Sequence, residues 1–162
     1  MGTQAPLGVK DDLMYLLSQA SHVLLTELTS GLAELGISQR GYCVLSKALA
    51  TGDLSQIRLA ELCNLDKTTM VVTMDELERA GLAERRPDAH DRRARIIRVT
   101  EAGGRMVAAA EQVVAQIYAD VLGTLADGER EAFMNGLLRL VRGRLSTPTP
   151  CSRPVRRRSP KA

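Results

Sequence analysis

Charged residues cluster in the segment 87–103, PDAHDRRARIIRVTEAG, where Arg92 and Arg93 are adjacent. Two neighbouring guanidinium groups repel each other, so the pair indicates either a solvated turn or a contact with something anionic. Residues 85–98 contain six arginines and two aspartates, a local excess of four positive charges. The segment is therefore the first candidate for a functional site.

Composition limits the classes of protein that could carry such a site. The chain has 162 residues, 44% of them hydrophobic and only 2% aromatic, which predicts an aliphatic core for one domain or for a small domain with an oligomerising part. No apolar run reaches membrane-spanning length and the first residues lack a leader pattern, so we expect a cytoplasmic protein with no membrane partner. Three cysteines without metal-ligand spacing predict no metal, cofactor or disulfide framework.

The two ends of the chain differ from its middle. Residues 146–162 carry five positive charges, no acid and four of the six prolines, which predicts a disordered basic tail. Removing these five charges from the net charge of +3 leaves −2 for the remainder, so the overall pI says little about the folded part. Residues 1–10 are expected to be a flexible N-terminus.

Helical periodicity dominates the segment 11–145 and predicts a mainly α fold with one small β-hairpin. Gly36 should end the first helix, Ser38 should cap the second, and an extended piece at 55–57 should precede a two-turn helix. Asp66 should cap the next helix, and two alternating runs, 82–86 and 95–100, should form the hairpin. The last two helices should be capped by Thr100 and by Asp127.

A short helix, a tight turn and a second helix followed by a hairpin make a winged helix-turn-helix, which we assign to residues 37–100. The remaining helices, at 11–36 and 101–145, are apolar on more surface than this unit could cover. They predict a dimerisation region and hence a homodimer.

The segments LAELCNLDKTTMVVTMDELERAGLAERR and DAHDRRARIIRVTEAG, in this order of elements, resemble the MarR (multiple antibiotic resistance regulator) family. The second segment is similar to the wing signature Asp-Pro-x-Asp-x-Arg, five variable residues, then Leu-Thr-x-x-Gly, with Ala89 in place of Pro and Val99 in place of Leu. The resemblance implies a transcriptional regulator, a repressor, that binds the two halves of a pseudo-palindromic operator in double-stranded DNA.

The resemblance also implies roles for single residues. Arg93 matches the wing-tip arginine that enters the minor groove, where the negative potential of the DNA is concentrated, and Asp91 matches the acid that braces the tip. Arg92 and Arg95 join it as DNA-contact candidates. On the recognition helix the candidates for the major groove are Lys67, Thr68, Thr69, Val72 and Thr73, although the threonines could equally serve only as caps. Ser38, Gln39 and Arg40 begin a helix whose amides could hold a phosphate, or could simply be capped.

The family's ligand pocket, between the helical and winged parts, implies a small effector such as an aromatic acid or phenol. Candidate contacts are Tyr15, Ser18, His22 and Arg40, with a structural role for His22 as the alternative. Peroxide-sensing relatives use a cysteine near the start of the first helix, which this chain lacks. A redox regulator based on cysteine is therefore an alternative, as is an architectural DNA binder without effector. An enzyme is not expected, because no nucleophile and base, metal set or phosphate loop is visible.

Overall fold

The computed structural model describes residues 12–52, 54–87 and 95–148. Six helices and one hairpin follow each other in these ranges, which confirms the mainly α fold with a small hairpin. The elements are α1 (Leu13–Ala33), α2 (Gln39–Thr51), α3 (Gln56–Leu62), α4 (Lys67–Arg79), β1 (Ala83–Pro87), β2 (Arg95–Val99), α5 (Glu101–Leu122) and α6 (Asp127–Arg142). Among the described residues, no helix is both long and apolar enough to cross a membrane.

Helices α3 and α4 form the helix-turn-helix. The turn between them contains Asn64 at a φ of 52°, the left-handed conformation that asparagine adopts more readily than most residues. Asp66 then caps α4, as predicted, because its carboxylate accepts a hydrogen bond of 2.9 Å from the amide of Thr69. The side chains that hold the two helices against the core are buried: Leu59, Met70, Met74 and Leu77.

Strands β1 and β2 pair antiparallel, with Arg85 opposite Ile97, and Ile97 is buried on the core side. The extended piece predicted at 55–57 is shorter than expected. Ser55 alone bridges to Ile96, while its hydroxyl accepts from the amide of Arg58 and so starts α3 at the next residue. The hairpin tip that carries Asp91, Arg92 and Arg93 lies outside the described residues.

The start of α5 is fixed to the base of the hairpin through one side chain. The Thr100 hydroxyl donates to the carbonyl of Gly81 at 2.8 Å and accepts from the amide of Gly103 at 3.0 Å, so Thr100 caps α5 as predicted. Gly103 lies against the backbone of Leu82, where a Cβ atom would stand 2.0 Å from the carbonyl oxygen. Thr100 and Gly103, three positions apart, therefore join the start of α5 to the base of the hairpin.

The chain divides into two compact units, 1–119 and 120–162. In the first unit α1 approaches α5 closely at Gly31, where a Cβ would lie 2.8 Å from Val113. Only Leu28 and Leu32 of α1 are buried, because none of the residues that the structure describes covers the first half of its apolar face. The exposed apolar side chains of that half are Leu13, Met14, Tyr15, Leu16 and Val23.

The second unit contains α6, which buries no residue. Its N-cap is Ala126 and not Asp127 as predicted. Glu129 replaces the missing capping side chain, because its carboxylate accepts from the Ala126 amide at 3.1 Å. The apolar side chains that α6 leaves exposed are Phe133, Met134, Leu138, Leu140 and Val141.

Candidate nucleic-acid interface

The first half of α4 presents a polar and apolar surface to solvent. Lys67 and Thr68 are exposed in its first turn, and the exposed fractions of Val71 and Val72 are 38% and 51%. Solvent-facing valines in the middle of a helix leave apolar surface that fits the methyl group of thymine. The ridge from Lys67 to Val72 is the part of the helix that DNA could contact.

Two of the predicted threonines have hydrogen bonds inside the helix. The Thr69 hydroxyl donates to the Asp66 carboxylate at 2.7 Å, and these bonds hold the pKa of Asp66 below its usual range. Thr73 is only 3% exposed and donates to the carbonyl of Thr69 at 2.8 Å. The expectation that Thr73 faces outward with Val72 is corrected here, since Thr73 shares the buried stripe of Met70, Met74 and Leu77.

The second half of α4 is acidic, with Asp75, Glu76 and Glu78. Carboxylates repel phosphates, so contact with DNA beyond Val72 would need their charges compensated. Arg85 compensates two of them, as described below. The part of α4 that can contact DNA is therefore its first two turns.

Helix α2 begins beside α4. The Ser38 hydroxyl accepts from the amide of Gly41 at 3.1 Å, which confirms the predicted cap. Gln39 and Arg40 follow in the first turn, and the first amides of a helix have no acceptor within it. Since α2 and α4 both begin here, the positive ends of two helix dipoles lie on one side of the molecule.

A groove of about 550 Å³ separates the starts of α2 and α4 from α1. Arg40 and Glu76 are its charged side chains, and Leu25 and Val72 give it apolar walls. Seven of the predicted DNA contacts, including the buried Thr73, line this groove. Its lining is Leu25, Thr29, Ser38, Gln39, Arg40, Thr68, Thr69, Val72, Thr73 and Glu76.

On the other side of α4, a second groove of about 640 Å³ reaches the hairpin. Lys67 of α4, Arg58 of α3 and Arg95 of β2 all border it. Arg58 forms an exposed ion pair with Glu61, at 2.5 Å. The structure thus brings Lys67 and Arg95, which are 28 positions apart in the sequence, to one groove beside the recognition helix.

The sequence did not indicate the role of Arg85, which fixes the hairpin to α4. Its guanidinium forms ion pairs with Asp75, at 2.7 Å, and with Glu78, and its side chain is only 20% exposed. It also donates to the Gln56 side chain at 3.0 Å and to the Val71 carbonyl at 3.1 Å. Arg85 is therefore a structural arginine, and its charge does not belong to the excess that faces an anion.

The four predicted effector contacts do not form one site. Arg40 lines the first groove, but α1 reaches that groove only through Leu25 and Thr29. Tyr15 and Ser18 are seven or more residues earlier, roughly 10 to 15 Å along the helix, so they do not line this groove. His22 borders a separate shallow depression of about 250 Å³ and is exposed, which also excludes it from the core of the single chain.

Metal-ligating side chains are not gathered anywhere in ranges 12–52, 54–87 and 95–148: no three His, Cys, Asp or Glu residues there are arranged to hold an ion. The candidate sites in this part of the chain are the two grooves and the α4 ridge between them.

Comparison with known proteins agrees with this architecture. The MarR family model matches residues 44–94, which contain α3, α4 and β1. A MarR-family transcriptional regulator from Rhodococcus sp. RHA1 is 27% identical, with 86% of this chain and 98% of that chain covered and a TM-score of 0.75. CouR from Rhodococcus jostii RHA1, bound to p-coumaroyl-CoA, is 28% identical, with 91% and 100% covered and a TM-score of 0.73.

A structure of the transcriptional repressor CouR bound to a 23-mer DNA duplex aligns at 24% identity over 86% of this chain and 99% of that chain, with a TM-score of 0.76. This similarity supports the fold. The matched family model and the two Rhodococcus relatives confirm that the chain resembles the MarR family of transcriptional regulators.

Proposed function

We propose that this protein is a homodimeric repressor that binds a pseudo-palindromic operator and is released by a small aromatic acid or phenol. It is a regulator without enzymatic activity, and DNA is its main partner. The observation that carries the proposal is the groove between α1, α2 and α4. Residues suited to DNA contact and a space suited to a small anion share one lining there.

The DNA-binding part of the proposal rests on three neighbouring features. The exposed ridge Lys67–Val72 enters the major groove, and the first turn of α2, with Gln39 and Arg40, holds a phosphate. Arg95 borders the second groove beside α4, and we assign the minor-groove contact to Arg93, with Arg92 and Asp91 beside it in the sequence. The ridge consists mainly of neutral and apolar side chains, so its contacts with the bases supply selectivity. The positively charged side chains around it supply affinity for the phosphates.

The dimer part of the proposal rests on apolar surface that each unit leaves uncovered. In the first unit it is the N-terminal half of α1, and in the second it is one face of α6. A helix with no buried residue gains little from its own chain, because helices in proteins are stabilised mainly by packing of an apolar face. A second copy of the chain provides that packing, and its two-fold symmetry matches a pseudo-palindrome.

Release follows from the shared lining of the groove. An aromatic acid lying between Leu25 and Val72, with its carboxylate on Arg40, would occupy the surface that the DNA backbone needs. The coupling is then direct, and a hundredfold weaker operator affinity corresponds to about 2.7 kcal/mol of coupling.

Arg93→Ala tests the wing. We expect a similar loss of affinity, about tenfold, for every operator variant, because the minor-groove contact depends on shape and charge. The slope of log K against log salt should fall by about one. A fluorescence-anisotropy titration on DNA from the protein's own promoter measures both quantities, with dimerisation checked by sedimentation. Unchanged affinity at every salt concentration would disprove the wing contact.

Arg40→Gln tests the effector groove. Benzoate, p-coumarate and p-coumaroyl-CoA are the probes, and calorimetry on DNA-free protein separates effector binding from the DNA contact of Arg40. We expect the substitution to weaken binding of the acid probe by about tenfold, since a charge-assisted hydrogen bond contributes about 1.5 kcal/mol.

His22→Ala is the matched control, because His22 lies outside the groove and should leave binding unchanged. If His22→Ala weakens binding and Arg40→Gln does not, the effector occupies the depression on α1 instead. If none of the probes binds, and none releases DNA, the protein acts without an aromatic effector.

A further inference from the structure

Two exposed valines form the centre of the ridge on α4. Val71 is 38% exposed and Val72 is 51% exposed, although valine is among the residues most often buried in proteins. They follow the exposed Thr68 by three and four positions, so the three side chains share one face of the helix. This face lies between the two grooves, since Val72 lines the first and Lys67 lines the second. The part of the chain that the structure describes leaves both valines open to a ligand.

The polar side chains that usually read bases are missing from this face. Guanine is read by an arginine or lysine through two hydrogen bonds, and adenine by an asparagine or glutamine. Helix α4 contains no asparagine or glutamine, and its one arginine, Arg79, lies in the last turn, beyond the acidic residues. Lys67 borders the second groove together with Arg58 and Arg95, where it fits a phosphate. Base contacts from the first two turns of α4 therefore have to be mainly apolar.

The threonine hydroxyls leave one candidate for a polar contact with a base. The Thr69 hydroxyl donates to the Asp66 carboxylate, and the hydroxyl of the buried Thr73 donates to the Thr69 carbonyl. Thr68 remains, exposed in the first turn. A single hydroxyl can donate to a base or accept from one, so it selects no base by itself. Selection has to come from the valines.

The valine side chains are held in fixed positions. Valine is branched at Cβ, and a single χ1 rotamer predominates when it lies in a helix. The Val71 carbonyl also accepts a hydrogen bond of 3.1 Å from the Arg85 guanidinium, which ties this turn of α4 to the hairpin. The methyl groups of Val71 and Val72 therefore form a rigid surface, which loses little entropy when it packs against the edge of a base.

We propose that Val71 and Val72 read the 5-methyl groups of thymines, so that each operator half-site has T·A pairs at the positions that face these valines. The thymine methyl group is the only methyl that a standard base pair presents in the major groove. A pair without it would leave the valines against polar atoms or water. This inference rests on the proposed DNA binding, and it adds the bases that α4 selects.

The experiment begins with a duplex that the protein itself selects. The full chain is used to enrich binding sequences from a library of random DNA duplexes, and the enriched operator is resynthesised with deoxyuridine in place of each thymidine in turn. Deoxyuridine keeps every hydrogen-bonding group of thymidine and lacks only the methyl. At the thymines that face the valines we expect about fourfold weaker binding, the ratio that corresponds to about 0.8 kcal/mol for one buried CH₂ group. Fluorescence anisotropy measures each affinity.

Three variants connect the methyl dependence to the valines. The double variant Val71→Ala, Val72→Ala removes their methyl groups and should bind the thymidine and deoxyuridine duplexes with affinities within about twofold of each other. It should fold, because alanine favours the helix more than valine does. Val72→Ile keeps a branched apolar side chain and should retain the ratio of the parent. Leu49→Ala is the matched control, because Leu49 is 53% exposed on α2 and lines neither groove, and it should also retain that ratio.

The possible failures are distinguishable. Equal affinities for the thymidine and deoxyuridine duplexes at every position would overturn the proposal, while the enriched operator would leave the proposed function standing. A methyl dependence that persists in the double variant would overturn the role of Val71 and Val72. A library from which no sequence is enriched would contradict the proposed function itself, and with it the reading of bases by α4.

Discussion

Gly103→Ala is expected to lower the free energy of unfolding by about 3 kcal/mol, the upper part of the range for overpacking in a core. The new Cβ would lie 2.0 Å from the Leu82 carbonyl oxygen and 2.8 Å from Val99, so either α5 or the hairpin must move. The same region holds the Thr100 bonds to Gly81 and to the Gly103 amide. A shift of α5 therefore also weakens its cap.

The neighbouring Gly104→Ala is the matched control. Its Cβ meets nothing within 4 Å, and alanine is favoured over glycine inside a helix by about 1 kcal/mol. It should therefore raise the free energy of unfolding. Because Gly103→Ala lowers the same quantity, the two variants should differ by about 4 kcal/mol. Urea unfolding at equal protein concentration measures the difference. Equal effects of the two substitutions would contradict the close approach of α5 to the hairpin.

Arg85→Ala is expected to lower the free energy of unfolding by about 2 kcal/mol. Removing one partner of a buried ion pair costs about 3–5 kcal/mol, but Asp75 and Glu78 are 49% and 34% exposed, so solvent screens part of the loss. The substitution also removes the bonds to Gln56 and to the Val71 carbonyl. Operator affinity should fall as well, because Arg85 joins the hairpin to the recognition helix.

Arg86→Ala controls for the loss of a positive charge at the next position. Arg86 is 56% exposed and pairs only with the exposed Glu84 among the interactions described, so stability should change by less than about 0.5 kcal/mol. Arg85→Lys keeps the positive charge but not the several N–H donors of the planar guanidinium group. It should therefore lower the free energy of unfolding by an intermediate amount. An Arg85→Ala variant as stable as Arg86→Ala would show that the ion pairs do not hold the hairpin.

The sequence determined the elements because each depends on neighbours within a few positions. At Ser38, Asp66 and Thr100, the cap is a hydrogen bond from a backbone amide to the side chain three residues before it. Such a bond does not depend on contacts with distant parts of the chain. Met70, Met74 and Leu77 follow the helical period and are buried together, since one helix turn repeats after 3.6 residues. The prediction that Asp127 caps α6 was wrong, because the carboxylate of Glu129 accepts a hydrogen bond from the Ala126 amide and caps the helix from three positions ahead.

Contacts between distant positions had no comparable pattern in the sequence. Arg85 looked like one of six wing arginines, and only the packing of β1 on α4 brings it to Asp75 and Glu78.

The position of the groove along α1 depends on such contacts as well. Periodicity gives the face of Tyr15 and Ser18 but not the height at which α2 and α4 meet that helix, and they meet it at Leu25 and Thr29. The sequence thus determined the resemblance to a family, the order of elements and their caps, because these depend on local bonds and on periodicity. The tertiary structure decided which charges are neutralised and where the groove opens, because these depend on how helices cross.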